Sequence, residues 1–139
     1  MRGGGKTILY ITVFICGIST MGVELSASRL LAPFFGTSLY VWTNIIGIIM
    51  VSLSIGYFIG GRISDKHPNT LVFHLFTLTA GVLIGVIPFL SSLILPIATQ
   101  ALSTLSYNDF LLSFIGSLML FAVPITLLGA IIPFAVRLN

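Results

Sequence analysis

Four apolar runs, each long enough to cross a lipid bilayer, constrain this chain more than any other feature. They lie near residues 7–31, 39–61, 71–95 and 110–138. About 20 apolar residues in a helix span the hydrocarbon core, and none of these runs alternates polar and apolar residues as a barrel strand would. Because unpaired backbone groups are too costly in lipid, each run is predicted to form a helix. The sequence therefore predicts an all-α, polytopic membrane protein with four transmembrane helices in a single domain, 1–139.

Composition and charge placement agree with that prediction. The chain is 57% hydrophobic and only 6% charged, with a mean hydropathy of +1.17, whereas soluble domains carry about 25% charged residues. The lipid bilayer is thus the first predicted partner. Arg2, Lys6, Arg62, Lys66 and Arg137 all fall on one side of a four-helix arrangement. The positive-inside rule then predicts a multi-pass protein of the cell membrane with cytoplasmic N- and C-termini, and the basic charge does not indicate nucleic-acid binding.

Glu24 and Arg29 are ionisable residues placed near the end of the first apolar run. A charge at the centre of a membrane helix costs roughly 2.5 to 3.5 kcal/mol, and less near the interface. The two residues are about 140° apart around a helix, so they cannot meet as an i,i+4 pair. We predict that Glu24 binds a substrate or a proton and that Arg29 tunes it electrostatically. The alternatives are a structural polar contact for Glu24 and snorkelling of Arg29 to the interface.

A second charged cluster, Arg62, Asp65 and Lys66, separates the second and third runs. It is predicted to form a compact turn at the cytoplasmic face. The spacing Gly61-x3-Asp65-Lys66 resembles the loop between the second and third helices of the major facilitator superfamily, although the Gly-Arg-Arg continuation is absent. That resemblance implies a charge-paired latch that biases alternating access. The alternative is a plain capped turn whose positive charge sets orientation.

Small residues recur every four positions on two of the predicted helices. Such rows let helix backbones approach closely, and this close packing drives helix association in lipid. We therefore predict two tight helix–helix contacts, either within one chain or between copies; the alternative is chance recurrence in glycine-rich membrane sequence. The rows are Ser52, Gly56, Gly60 and Ser64 on helix 2, and Thr77, Gly81 and Gly85 on helix 3.

Proline and hydroxyl residues predict where the helices end. Helix 1 is expected to close at Ala32-Pro33, because proline blocks continuation, and Thr37 or Ser38 is expected to cap helix 2. Residues 91–108 are predicted to form the outer connection between helices 3 and 4, with a short helix lying along the interface.

Nothing in the sequence predicts catalysis, a cofactor or a metal site. His67 and His74 are not accompanied by the Cys, Asp or Glu residues that would complete a metal site. There is no phosphate-binding glycine loop after a strand, no catalytic triad and no pair of carboxylates for acid–base chemistry. The chain is therefore predicted not to be an enzyme.

A series of spaced motifs points to one family. Glu24, Arg29-Leu30-Leu31-Ala32-Pro33, Gly36-Thr37-Ser38, Trp42-Thr43, Gly56-Tyr57-x2-Gly60-Gly61-Arg62-x2-Asp65 and Pro133-Phe134 occur in this order. The series resembles the membrane domain of the membrane-bound spermidine synthase-like proteins, most densely over helices 1 and 2. In that family a soluble aminopropyltransferase domain follows the helices. No position up to Asn139 matches its catalytic residues, so none is carried over.

These observations together predict a transporter-like membrane module for polyamines or other cations. Four helices enclose little volume, so the module is expected to act as a homo-oligomer or with other membrane subunits. The alternative is a non-catalytic anchoring subunit of a larger membrane complex or of a separate spermidine synthase-like enzyme. In that case the rows of small residues would bind foreign helices.

Overall fold

Four long helices make up almost all of the computed structural model, which describes residues 3–103 and 109–139. They are α1 (Gly3–Phe35), α2 (Leu39–Lys66), α3 (Thr70–Ser103) and α4 (Asp109–Leu138). Each is long and apolar enough to span a membrane, and the described residues contain no strand. The predicted fold class is confirmed, while the cytoplasmic placement of both termini stays a prediction.

At the turn between α1 and α2, the end of α1 differs from the prediction and the cap of α2 agrees with it. The expectation that α1 closes at Pro33 is wrong, because the helix continues to Phe35. Pro33 lies in the last turn, where its missing N–H deprives only one carbonyl of a partner. Gly36 then ends the helix with a φ of 75° and donates its N–H to the Ala32 carbonyl at 2.9 Å, a left-handed cap. Ser38 caps α2, as predicted.

The third helix is longer than predicted. The outer connection was expected to begin at Ser91, but α3 continues to Ser103 with Pro88 and Pro96 inside it. Hydroxyl groups bond to backbone carbonyls along this stretch, as when Ser91 donates to the Pro88 carbonyl at 2.8 Å and Thr99 donates to the Pro96 carbonyl at 2.9 Å. Each proline removes one N–H donor, so the Ile84 and Ser92 carbonyls lose their usual helical partners, yet the helix continues through both positions. The rest of the predicted connection lies outside the described residues.

The helices pack around α4. It contacts all three of the others, whereas no Cα atom of α2 lies within 8 Å of one in α3. In its most apolar stretch 56% of the α4 residues are buried, against 17% for α1. The core is therefore the set of side chains that surround α4, and α1 is the least buried of the four helices.

The helices α2 and α4 run parallel and stay in contact over their whole length. Contacts near the start, middle and end of the pair are Asn44 with Ser113, Gly56 with Gly129, and Asp65 with Arg137. This is the closest and most extensive helix pair in the described chain. The other two helices pack against it, α3 against α4 and α1 against both.

Glycine sets the distance between α2 and α4. A Cβ atom added at Gly56 would lie 2.9 Å from the Gly129 Cα and would also overlap the Thr126 carbonyl oxygen. One added at Gly60 would lie 2.8 Å from the Ala130 Cβ. No side chain fits at these separations without moving the helices apart. The two backbones therefore touch, as the row of small residues on α2 allows.

Candidate functional site

Glu24 lies at the edge of the buried face of α1, in the part of the helix that precedes the turn to α2. Its neighbours Val23 and Ala27 are buried against the bundle, while the Glu24 side chain is only partly buried. Arg29, further along the same helix, is exposed. Neither side chain makes a hydrogen bond or an ion pair with any described residue. The structural contact considered for Glu24, with Ser, Thr or Asn on another helix, is thus not found in the described chain.

A cleft of about 340 Å³ opens beside this part of α1. It lies between α1 and α3, with α4 at its floor, and its walls are mainly apolar. The residues that line it include Ser19, Ser26, Leu30, Ile87, Pro88 and Phe121. Glu24 and Arg29 are not among the lining residues, so this cleft does not bring the predicted binding residues together.

One copy of the described chain does not surround Glu24 with a binding site. A carboxylate at membrane depth can hold a cation or a proton, but it needs further polar groups or a screened cavity to do so. In the described chain Glu24 has no hydrogen-bond or ion-pair partner and does not line the neighbouring cleft, and Arg29 is on a different face of the same helix. A site built on Glu24 therefore has to be completed by something outside this bundle.

The prediction that Arg62, Asp65 and Lys66 form a compact turn is wrong, because α2 continues to Lys66 and all three lie in its last two turns. These residues, predicted to form a cytoplasmic latch, are not paired with one another in the described chain. The Asp65 carboxylate pairs with Arg137 of α4, with Oδ1 and Nε 3.8 Å apart. The Arg62 guanidinium lies 4.0 Å from the centre of the Phe58 ring, a cation–π contact. Lys66 ends the helix.

The ion pair between Asp65 and Arg137 joins helices that cannot separate easily. Both side chains are mostly exposed, so the pair contributes at most about 1 kcal/mol. The contact of Gly56 and Gly60 with α4 already fixes the distance between α2 and α4. The ion pair therefore adds one weak contact at the end of the α2–α4 pair. This geometry gives little support to a latch that opens and closes.

The two rows of small residues are placed differently. On α2, Ser52, Gly56 and Gly60 are buried against α4. On α3, Gly81 and Gly85 are exposed, and a Cβ atom added at either would meet no atom within 4 Å. Thr77, the first member of that row, donates its hydroxyl to the Phe73 carbonyl of its own helix at 3.0 Å. The row on α3 thus makes no close helix contact within the described chain.

Asn44 is a buried polar residue that the sequence reasoning missed, together with Ser113 and Ser117 on α4. Its amide donates to the Phe110 carbonyl at 3.0 Å and to the Ser113 hydroxyl at 2.9 Å, both on α4. The hydroxyl of Ser117 continues this polar contact by donating to the Ser113 carbonyl at 2.7 Å. The sequence contained a signal for this contact. Asn44 lies eight residues before Ser52, which is two intervals of four, so it extends the row of small residues on α2 toward the start of the helix.

No group of three or more His, Cys, Asp or Glu residues that could hold a metal ion is found in residues 3–103 and 109–139. Comparisons of the chain with protein-family models, with curated proteins and with solved structures found no match.

Proposed function

We propose that this chain is a transporter-like membrane module for polyamines or other cations, which works only when a second membrane unit covers α1. The single observation that carries the proposal is Glu24, a carboxylate inside a membrane-spanning helix that has no partner among the described residues. An ionisable group at this depth is costly and is retained mainly where it binds, relays or pairs. In this proposal Glu24 holds the cation or the proton, and Arg29 tunes its affinity.

The choice of substrate class rests on charge and on resemblance. A carboxylate in a low-dielectric environment favours positive guests, because the attraction between charges grows as the dielectric constant falls. The motif series from Glu24 to Asp65 is similar to that of the membrane-bound spermidine synthase-like proteins. Polyamines are therefore the first cations to test.

The test is uptake of labelled spermidine by vesicles that contain the protein. We expect Glu24→Gln, which keeps the shape of the side chain and removes its charge, to lower the rate by about tenfold or more, the effect of losing one ionic contact of moderate strength. The matched control is Asp65→Asn, which neutralises a carboxylate at the exposed end of α2 and should leave the rate nearly unchanged. Equal rates for wild type and Glu24→Gln would remove the role assigned to the carboxylate.

A second candidate function is supported by the outward row on α3. Gly81 and Gly85 are exposed, and a Cβ atom added at either would meet no atom of the described residues within 4 Å. Small residues on an open helix face let a foreign helix approach closely. In this proposal the chain is an anchoring subunit of a larger membrane complex or of a separate spermidine synthase-like enzyme. Purification in a mild detergent separates the candidates, because a foreign protein in fixed stoichiometry favours the anchor.

A further inference from the structure

The outward face of α1 carries a continuous apolar stripe with the spacing of a helix–helix seam. Its members are between 54% and 70% exposed and are separated alternately by three and four residues. That spacing is the a/d pattern by which two helices pack side by side in a left-handed pair. We call this stripe the α1 seam; it consists of Ile11, Phe14, Ile18, Met21 and Leu25.

Glu24 and Arg29 flank the α1 seam on opposite sides. If Leu25 occupies an a position, Glu24 occupies the preceding g position and Arg29 the following e position. In parallel helix pairs, a residue at g faces the residue five positions later, at e, on the other helix, and oppositely charged residues there form interhelical ion pairs. The five-residue spacing that keeps Glu24 and Arg29 apart in one helix is the spacing that brings them together across two.

We propose that the α1 seam binds the α1 seam of a second copy of this chain. The two helices lie parallel, and Glu24 of each copy pairs with Arg29 of the partner subunit. Copies inserted by the same positive-inside rule share one orientation in the membrane, so their α1 helices are parallel and a two-fold axis relates them. The two-fold symmetry produces two ion pairs. Each gives a partner to a Glu24 and an Arg29 that have no ion-pair partner among the described residues of their own copy.

The residues two turns before the ion pair make room for this approach. Gly17 and Gly22 hold the same flanking positions one heptad earlier, both are exposed, and a Cβ atom added at either would meet no atom within 4 Å. Small residues beside a seam let two membrane helices come close. This inference rests on the proposed function and deepens it: the second unit is another copy, and it supplies the arginine that tunes Glu24.

Disulfide cross-linking in native membranes tests the seam. Cys16 is first replaced by alanine, so that each variant has one thiol. Leu25→Cys places that thiol in the seam, whereas the control Ser26→Cys places it at the same depth but about 100° further around the helix. We expect mild oxidation to convert Leu25→Cys to a covalent dimer at least about tenfold more efficiently than Ser26→Cys, because only seam positions face their counterparts. Equal cross-linking of the two, or adducts with other proteins alone, would overturn the proposal.

Charge reversal tests the ion pairs. In the Leu25→Cys background, Glu24→Arg sets two arginines against each other across the seam, and Arg29→Glu sets two glutamates. We expect each single reversal to lower the dimer yield by about tenfold and the double reversal to restore it, because the two symmetric pairs form again with their signs exchanged. Single reversals without effect, or a double reversal that stays as low as the singles, would show that the charges do not meet.

The outcomes separate this inference from the proposed function. Specific Leu25→Cys dimers together with unchanged uptake in Glu24→Gln vesicles would uphold the seam and remove the transport role. Loss of uptake in Glu24→Gln without seam-specific cross-linking would uphold the transport role and reject the second copy. Met21→Cys, a second seam position that keeps both charges, repeats the comparison with Ser26→Cys if a reversal variant does not insert into the membrane.

Discussion

At the scale of single residues, the polar side chains within the helices fall into two groups. Some have hydrogen-bond or ion-pair partners among the described residues of their own chain, and others have none. Asn44 is buried and bonds to two groups of α4, and most exposed hydroxyls bond to carbonyls of their own helix, as Thr43 does to the Leu39 carbonyl at 2.9 Å. Glu24 and Arg29 have no such partner among the described residues. The contrast is the reason for placing function at Glu24 and structure at Asn44.

Replacement of Asn44 by alanine should weaken the contact between α2 and α4. We expect Asn44→Ala to lower the free energy of unfolding by about 1 kcal/mol, the usual range for a hydrogen bond between membrane helices. Thr43→Ala is the matched control, because Thr43 is exposed and bonds only within its own helix. Reversible unfolding in mixed micelles measures both; an equal loss in the two variants would contradict the assignment of Asn44 as the polar link.

At the scale of the elements, the spacing of small residues decides which helices touch, but only where a second helix offers an equally flat surface. On α2 the row meets Gly129 and Ala130 of α4, and the two backbones come into contact. On α3 a similar row ends in Gly81 and Gly85, which face outward. The pattern indicates the capacity for close packing, and the opposing helix determines whether the chain uses it.

The two glycines Gly47 and Gly56 give a matched test of this contact within one helix. We expect Gly56→Ala to destabilise the fold by about 1 to 3 kcal/mol, because the new methyl group has to force α2 away from α4. Gly47→Ala should change stability by no more than about 0.5 kcal/mol, because a Cβ atom added there meets no atom within 4 Å. The same unfolding measurement checks both variants, and similar stability of the pair would show that the α2–α4 contact is looser than the structure has it.

At the scale of the whole molecule, a rigid parallel pair of α2 and α4 supports two helices that are held more loosely. Among the described residues, no Cα atom of α2 lies within 8 Å of one in α3, and α1 is the least buried of the four helices. A bundle built in this way leaves the outer faces of α1 and α3 open to lipid or to other helices. This is the architectural reason for expecting the module to act in an assembly.

The orientation of that bundle can be tested with single thiols on opposite sides of the membrane. In a Cys16→Ala background, we expect Thr37→Cys to react with a membrane-impermeant maleimide added to intact cells, and His67→Cys to react only after the cells are opened. Both positions are exposed in connections between helices, so burial does not limit the reaction. The positive-inside rule is the physical basis, and the reverse labelling pattern would place both termini outside.

The sequence by itself determined the helices, because hydrocarbon leaves an apolar chain no other way to pair its backbone. It also narrowed the α2 cap to Thr37 or Ser38 and gave the row of small residues on α2, since both depend on local spacing. The lengths of α1 and α3 were underestimated, because Pro33 and Pro96 each remove only one N–H donor and do not end their helices. Only the tertiary structure decided that α4 is the centre, that Asp65 pairs with Arg137 and not with its neighbours, and that Glu24 has no partner within the described bundle. Those facts depend on which helix faces match in shape and charge, and a single helix does not contain that information.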